Sequence, residues 1–163
     1  MSRLSIHAQD FLNAFEILRE SNDALIEKKV GGARGTAYGS LPAMGVDIVC
    51  LGFSVELHLK ELHRIVLGAP PRGHNILQLF YTLPNNVQDE VGSYRSIAVY
   101  GWSDKQLEQE LQAISNGFEE WRYAHESTSL NYNIYFAKAL IQALQFVASI
   151  KCQEPNFSDN KRY

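Results

Sequence analysis

Between Pro42 and Leu67 the chain carries a stretch that cannot fold as anything lying on a surface. Taken as a helix, its residues Ile48, Leu51, Val55, Leu59, Leu62 and Val66 recur at steps of three and four and make one apolar stripe. Phe53 and Leu57 project roughly 150° or more from that stripe at about 100° per residue. A helix that is apolar on nearly every side must be covered on more than one face. It is therefore either the central helix of a bundle or a helix partly covered by another subunit, and Phe53, Leu57 and Ile65 are the residues that make a homodimer the expectation. Pro42 suits the first turn of such a helix.

The rest of the chain supplies the helices to surround it. Leu4, Phe11, Phe15, Leu18 and Leu25 mark one face of a first helix reaching to Lys29. It ends at "VGGARGTAYGSLP", whose glycines lack the Gly-Lys-Ser/Thr ending of a phosphate loop and read as an interhelical connection. After "GAPPRG" comes "HNILQLFYTLP", a short helix capped by Asn75 with Ile76, Leu79 and Phe80 inward. Pro84 opens a less regular helix through "NNVQDEVGSYRSIAVYG". Ser103 caps the next, in which Leu107, Leu111, Ile114, Phe118 and Trp121 alternate at steps of four and three, with His125 next in the series. A last helix, about Leu130 to Lys151, turns Ile134, Ala137, Ile141, Leu144 and Ala148 inward. No run alternates with period two and no segment repeats, so the expected fold is all-α, an up-and-down helical bundle of five or six helices. At 163 residues and 45% hydrophobic the chain suffices for one core. The expected organisation is a single domain over residues 1–152, with 153–163, "QEPNFSDNKRY", as a flexible tail.

The formal net charge of −3 gives no general attraction for a polyanion, so nucleic-acid binding would need a local basic patch. Cys50 and Cys152 lie in apolar runs without metal-ligand spacing and read as small buried hydrophobes. No leader pattern or long uncharged apolar run is present, and a cytoplasmic location without membrane association is expected. No cofactor or metal is expected: there is no Cys/His ligand set, no His-Glu-x-x-His, no Gly-x-Ser-x-Gly and no dinucleotide-binding glycine pattern.

The polar residues fall into three groups. Glu56, Lys60 and His63 share one helical face beside the buried stripe, and either form an intrahelical ion pair next to a wet histidine or line a groove for a phosphate or nucleotide. His58 and Arg64 point elsewhere and read as ordinary surface residues. Arg72 and His74 flank the start of the short third helix and could hold a phosphate, although a histidine there can also simply cap the turn. Near the end of the long amphipathic run, "FEEWRYAHES" gathers Arg122, His125 and Glu126.

Three stretches taken together, "FSVELHLKELHRIVLG", "GHNILQLFYTLP" and "FEEWRYAHE", resemble the HEPN superfamily of helical-bundle domains. The likeness lies in Glu56, Lys60, His74, Asn75, Leu79, Phe80, Trp121, Arg122, Tyr123 and Glu126, over about residues 45–130. It implies an HEPN-like dimer acting as an RNA- or nucleotide-binding or protein-interaction module, in a toxin–antitoxin or phage-defence setting, with an antitoxin or nucleotidyltransferase as partner. Under that reading Lys60, His63, Arg72 and His74 bind nucleotide or RNA, and Glu56, Lys60, Arg122 and Glu126 form a structural polar network. The alternative is a metal-independent endoribonuclease with Arg122 and His125 as the catalytic pair. Two residues separate that pair, where the ribonuclease branch usually has four to six.

Overall fold

The computed structural model describes residues 2–31, 45–101, 103–120 and 132–153, with side chains for all of these but 25–31 and 117–120. Over them the chain forms α1 (Arg3–Gly31), α2 (Val46–Leu67), α3 (Ile76–Tyr81), α4 (Asn85–Ser93), α5 (Arg95–Ala98), α6 (Asp104–Glu120) and α7 (Ile134–Gln153). No strand occurs among the described residues, and the fold is an all-α helical bundle. No helix among them is long and apolar enough to cross a membrane.

Local chemistry sets the helix ends. Asn75 caps α3 by accepting from the backbone N–H of Gln78 at 2.9 Å. The side chain of Gln106 reaches back to the N–H of Ser103 at 2.9 Å, half of a capping box at the start of α6. Asn133 does for α7 what Asn75 does for α3, accepting from Phe136 N–H at 3.0 Å. The irregular stretch after Pro84 resolves into two helices because Tyr94 takes an extended conformation, φ −64° and ψ 142°, between α4 and the single turn of α5. That split and the four-residue α5 account for seven helices among the described residues in place of five or six.

α2 is the central helix: α1, α3, α6 and α7 all pack against it. Leu51, Val55, Leu59 and Leu62 are fully buried, and each such side chain contributes roughly 1.5–3 kcal/mol on leaving water. The opposite apolar face meets α1, where Phe53 stacks on Phe11 with ring centroids 5.0 Å apart. The need that Phe53 creates for a covering surface is therefore met within the chain, and Leu57 and Ile65 are half-buried. The large apolar side chains left most exposed are elsewhere, at Val99 after α5 and Tyr135 in α7. The cysteines depart from expectation, Cys50 being half-buried and Cys152 exposed at the end of α7. Burial, with the Asp47 carboxylate nearby, pushes the Cys50 thiol above its usual range.

His58 is not a surface residue, because partners distant in sequence close over it. Its Nδ1–H donates to the Ser54 carbonyl at 2.8 Å, which leaves Nε2 to accept from the Gln145 amide of α7 at 3.0 Å. The Ser54 hydroxyl in turn donates to the Ala8 carbonyl of α1 at 2.9 Å, so one polar seam joins three helices. Burial holds the His58 imidazole below its ordinary range. The unfolded chain then takes up a proton near pH 6.5 that the folded chain refuses, so this contribution to stability is complete above about pH 6.5 and is lost as pH falls below it. Glu61, held below the usual carboxylate range by Arg64, which grips it through Nε and Nη2 at 2.8 and 2.9 Å, acts in a separate window at lower pH. Thermal melts between pH 8 and about pH 5 are expected to show a falling midpoint on the acid side of about pH 6.5, and His58→Gln is expected to flatten that slope.

Candidate functional site

The site is built where α2 meets the returning chain. Glu56 and Lys60 stand one helical turn apart on α2, and Lys60 Nζ donates to Glu56 Oε1 at 2.7 Å, as their spacing predicts. Beyond Leu67, Gly68 ends the helix in the left-handed region at φ 87°, where a Cβ would be strained. The chain then runs back alongside α2. Eleven residues of helix between positions 56 and 67 span about 16 Å, a distance that the loop of residues 68–74 can retrace. Gly73, at φ 100°, makes the final bend, and His74 arrives over Glu56 with Nδ1 2.9 Å from Oε1.

Glu56 is thus a carboxylate whose side chain is 3% exposed, one of whose oxygens takes both a lysine ammonium and an imidazole N–H. Its other oxygen, Oε2, is buried and has no hydrogen-bond partner among the described residues. Lys60 is largely enclosed, with 13% of its side chain exposed, whereas His74 is 68% exposed. Burying a carboxylate costs several kcal/mol unless it is paired and hydrogen-bonded, and here two donors converge to meet that cost.

Beside this cluster lies a shallow concavity of about 100 Å³ whose lining includes Arg72, Gly73, His74, Asn75, Gln78 and Thr82. Arg72 is exposed. No Asp or Glu occurs from Gly68 to Gln88, so the rim carries one guanidinium and one imidazole without a nearby acidic residue of its own segment.

Of the residues singled out by sequence, Glu56, Lys60 and His74 are brought into direct contact, and Arg72 lines the same rim. His63 is not brought to it. Its ring is 1% exposed and Nε2 donates to the Leu79 carbonyl at 2.8 Å, which ties α2 to α3 in place of facing a ligand. Arg64 forms the ion pair with Glu61 already described. Arg122, His125 and Glu126, together with Trp121 and Tyr123, lie outside the described residues, as does any contact between them and the Glu56–Lys60 pair. Sequence spacing placed Glu56 beside Lys60 but gave no sign that His74, eighteen residues on, would share the same carboxylate oxygen. The glycines at positions 68 and 73 are the local cues to that return.

Among the described residues no group of three or more His, Cys, Asp or Glu side chains is placed to hold a metal ion. Comparisons of the chain with protein-family models, with curated proteins and with solved structures found no match.

Proposed function

We propose that the protein is an HEPN-like RNA-binding helical module whose strand-binding site is the Arg72 and His74 rim, with Lys60 behind it and Glu56 as anchor. The observation that carries this reading is the buried Glu56 carboxylate, which fixes Lys60 and His74 through a single oxygen and so holds two nitrogen-bearing groups in place beside Arg72. Counting Lys60 and Arg72 against Glu56, the cluster has a surplus of one positive charge with His74 neutral, in a chain whose formal net charge is −3. A phosphodiester backbone passing along the rim would meet a guanidinium able to grip two phosphate oxygens at once and a lysine field behind it. The adjoining amide and hydroxyl groups of Asn75, Gln78 and Thr82 are of the kind that contact phosphate and sugar. The likeness of the three sequence stretches to HEPN domains supports the same reading, and a dimer and an antitoxin or nucleotidyltransferase partner are part of that proposal.

The test is fluorescence anisotropy with a short labelled single-stranded RNA across a range of salt. Arg72 is exposed, so Arg72→Ala leaves the fold intact. It is expected to weaken binding and to reduce the slope of log K against log salt by about 0.7, the loss of one phosphate contact on a single strand. Binding by Arg72→Glu as tight as that of the unaltered protein would refute the site. If a mononucleotide competes as well as the RNA, the ligand is a nucleotide and the strand-binding reading fails.

A further inference from the structure

We infer that the groove formed by the end of α3, α4, α5 and the start of α6 is a docking site for a partner protein segment that carries arginines beside apolar side chains. The inference is independent of the RNA-binding reading, since no residue of the Glu56 cluster lines this groove.

The cavity measures about 740 Å³, and its base is apolar, made by Phe80 of α3, Ile97 of α5 and Leu107 of α6. Phe80 and Ile97 belong to the hydrophobic core, so the base is a close-packed surface. Gly92 of α4 keeps the space above it open. A Cβ there would meet Leu107 Cδ2 at 3.7 Å, so a longer side chain would stand in the groove. The walls are tied together before any partner arrives. The Gln88 amide of α4 donates to the Leu83 carbonyl at 2.7 Å and to the Tyr81 carbonyl at 3.3 Å, which holds the end of α3 against α4. A preformed concavity with an apolar base and few polar groups is the usual form of a binding site.

The rim carries one sign of charge. Asp89 comes from α4 and Asp104 from α6; both are exposed, and neither carboxylate has an ion-pair or hydrogen-bond partner among the described residues. Glu108 follows Asp104 by one helical turn. Burial first, and then the Glu108 and Asp104 carboxylates, push the Tyr81 hydroxyl above its ordinary range, so that ring, 46% exposed, lies in their field. Among the described residues no Lys, Arg or His lines the groove. Arg95 of α5 supplies no counter-charge there: its guanidinium lies 5.9 Å from the ring of Tyr94, which is stacked on Phe146 of α7. Acidic groups on two walls and a tyrosine at the edge suit a guanidinium in particular, which takes a carboxylate through two N–H groups while its plane rests on an aromatic face. In an extended segment alternate side chains point to opposite faces, so arginines can meet the rim while apolar neighbours fill the base.

The full chain is titrated against a fluorescein-labelled octapeptide of alternating arginine and leucine, with anisotropy as the readout. The same peptide is made with citrulline, the uncharged isostere, for arginine, and with serine for leucine. The unaltered protein is expected to bind the first saturably and each of the others about fivefold or more weakly. Asp89→Asn combined with Asp104→Asn, at exposed positions, is expected to weaken binding about fivefold or more. Asp10→Asn with Glu20→Gln removes two exposed carboxylates of α1 and is expected to leave the affinity within about twofold. Gly92→Leu fills the groove without changing its charge and is expected to weaken binding comparably, while leucine, the better helix former, preserves α4. No saturable binding up to about 1 mM peptide would overturn the inference, as would an equal loss from the α1 pair or equal affinity for the citrulline peptide. Spermidine that displaces the labelled peptide at lower concentration than the unlabelled peptide does would make this a polyamine site and overturn the docking of a protein segment. A self-associated protein that Gly92→Leu turns monomeric would overturn it too, with a second copy as the occupant.

Discussion

Lys60→Met is expected to destabilise the domain by about 3 kcal/mol or more. The substitution keeps most of the aliphatic stem and removes only the ammonium, so packing changes little. What it leaves is a carboxylate 3% exposed whose second oxygen already lacks a partner and whose first retains only His74. Breaking one partner of a buried pair costs more than the pair is worth, because the remaining charge stays desolvated. Neutralising that charge should therefore recover most of the loss. Glu56→Gln combined with Lys60→Met is expected to be markedly more stable than Lys60→Met alone, a coupling that urea denaturation of the two single variants and the double variant would measure. A Lys60→Met protein within about 0.5 kcal/mol of the original would mean that the pair behaves as a surface contact.

Phe136→Ala is expected to cost about 3–5 kcal/mol. Phe136 stands in the first turn of α7, fully buried in the principal hydrophobic cluster, and its own N–H is held by Asn133. Ala137, Ala139 and Ala143 of the same helix are also buried, and such short side chains cannot extend into the space the ring leaves. The urea midpoint should fall with the slope unchanged. A loss below about 1 kcal/mol would show that α7 collapses onto the vacancy, contrary to a close-packed seam with α2.

Much of the bundle could be read from periodicity, and the reason is that its helices are amphipathic or wholly buried. The α2 stripe, the α3 cap at Asn75 and the inward set of α3 follow from spacing and capping chemistry alone, as does the Glu56–Lys60 pair. What could not be read depends on partners remote in sequence. Nothing local marks His58 for burial, because the residues that satisfy it include Gln145 of α7. His63 sits on the same face as Glu56 and Lys60 by spacing, yet α3 folds over it and offers the Leu79 carbonyl. The face of Phe53 that pointed to a second subunit was equally well matched by Phe11, and periodicity cannot say which apolar surface finds which. The Glu56–His74 contact needed the loop of residues 68–74 to double back, a tertiary event signalled only by Gly68 and Gly73.

The binding site is tested most directly by a titration of the isotopically labelled full chain with single-stranded RNA, followed by amide chemical shifts in two-dimensional NMR. Shifts concentrated at Arg72, Gly73, His74 and Asn75, spreading to Lys60 on α2, are the expected result. Shifts concentrated instead around Val99 and Tyr135, the exposed apolar surface by α5 and α7, or no shifts at all, would contradict RNA binding at the Glu56 cluster.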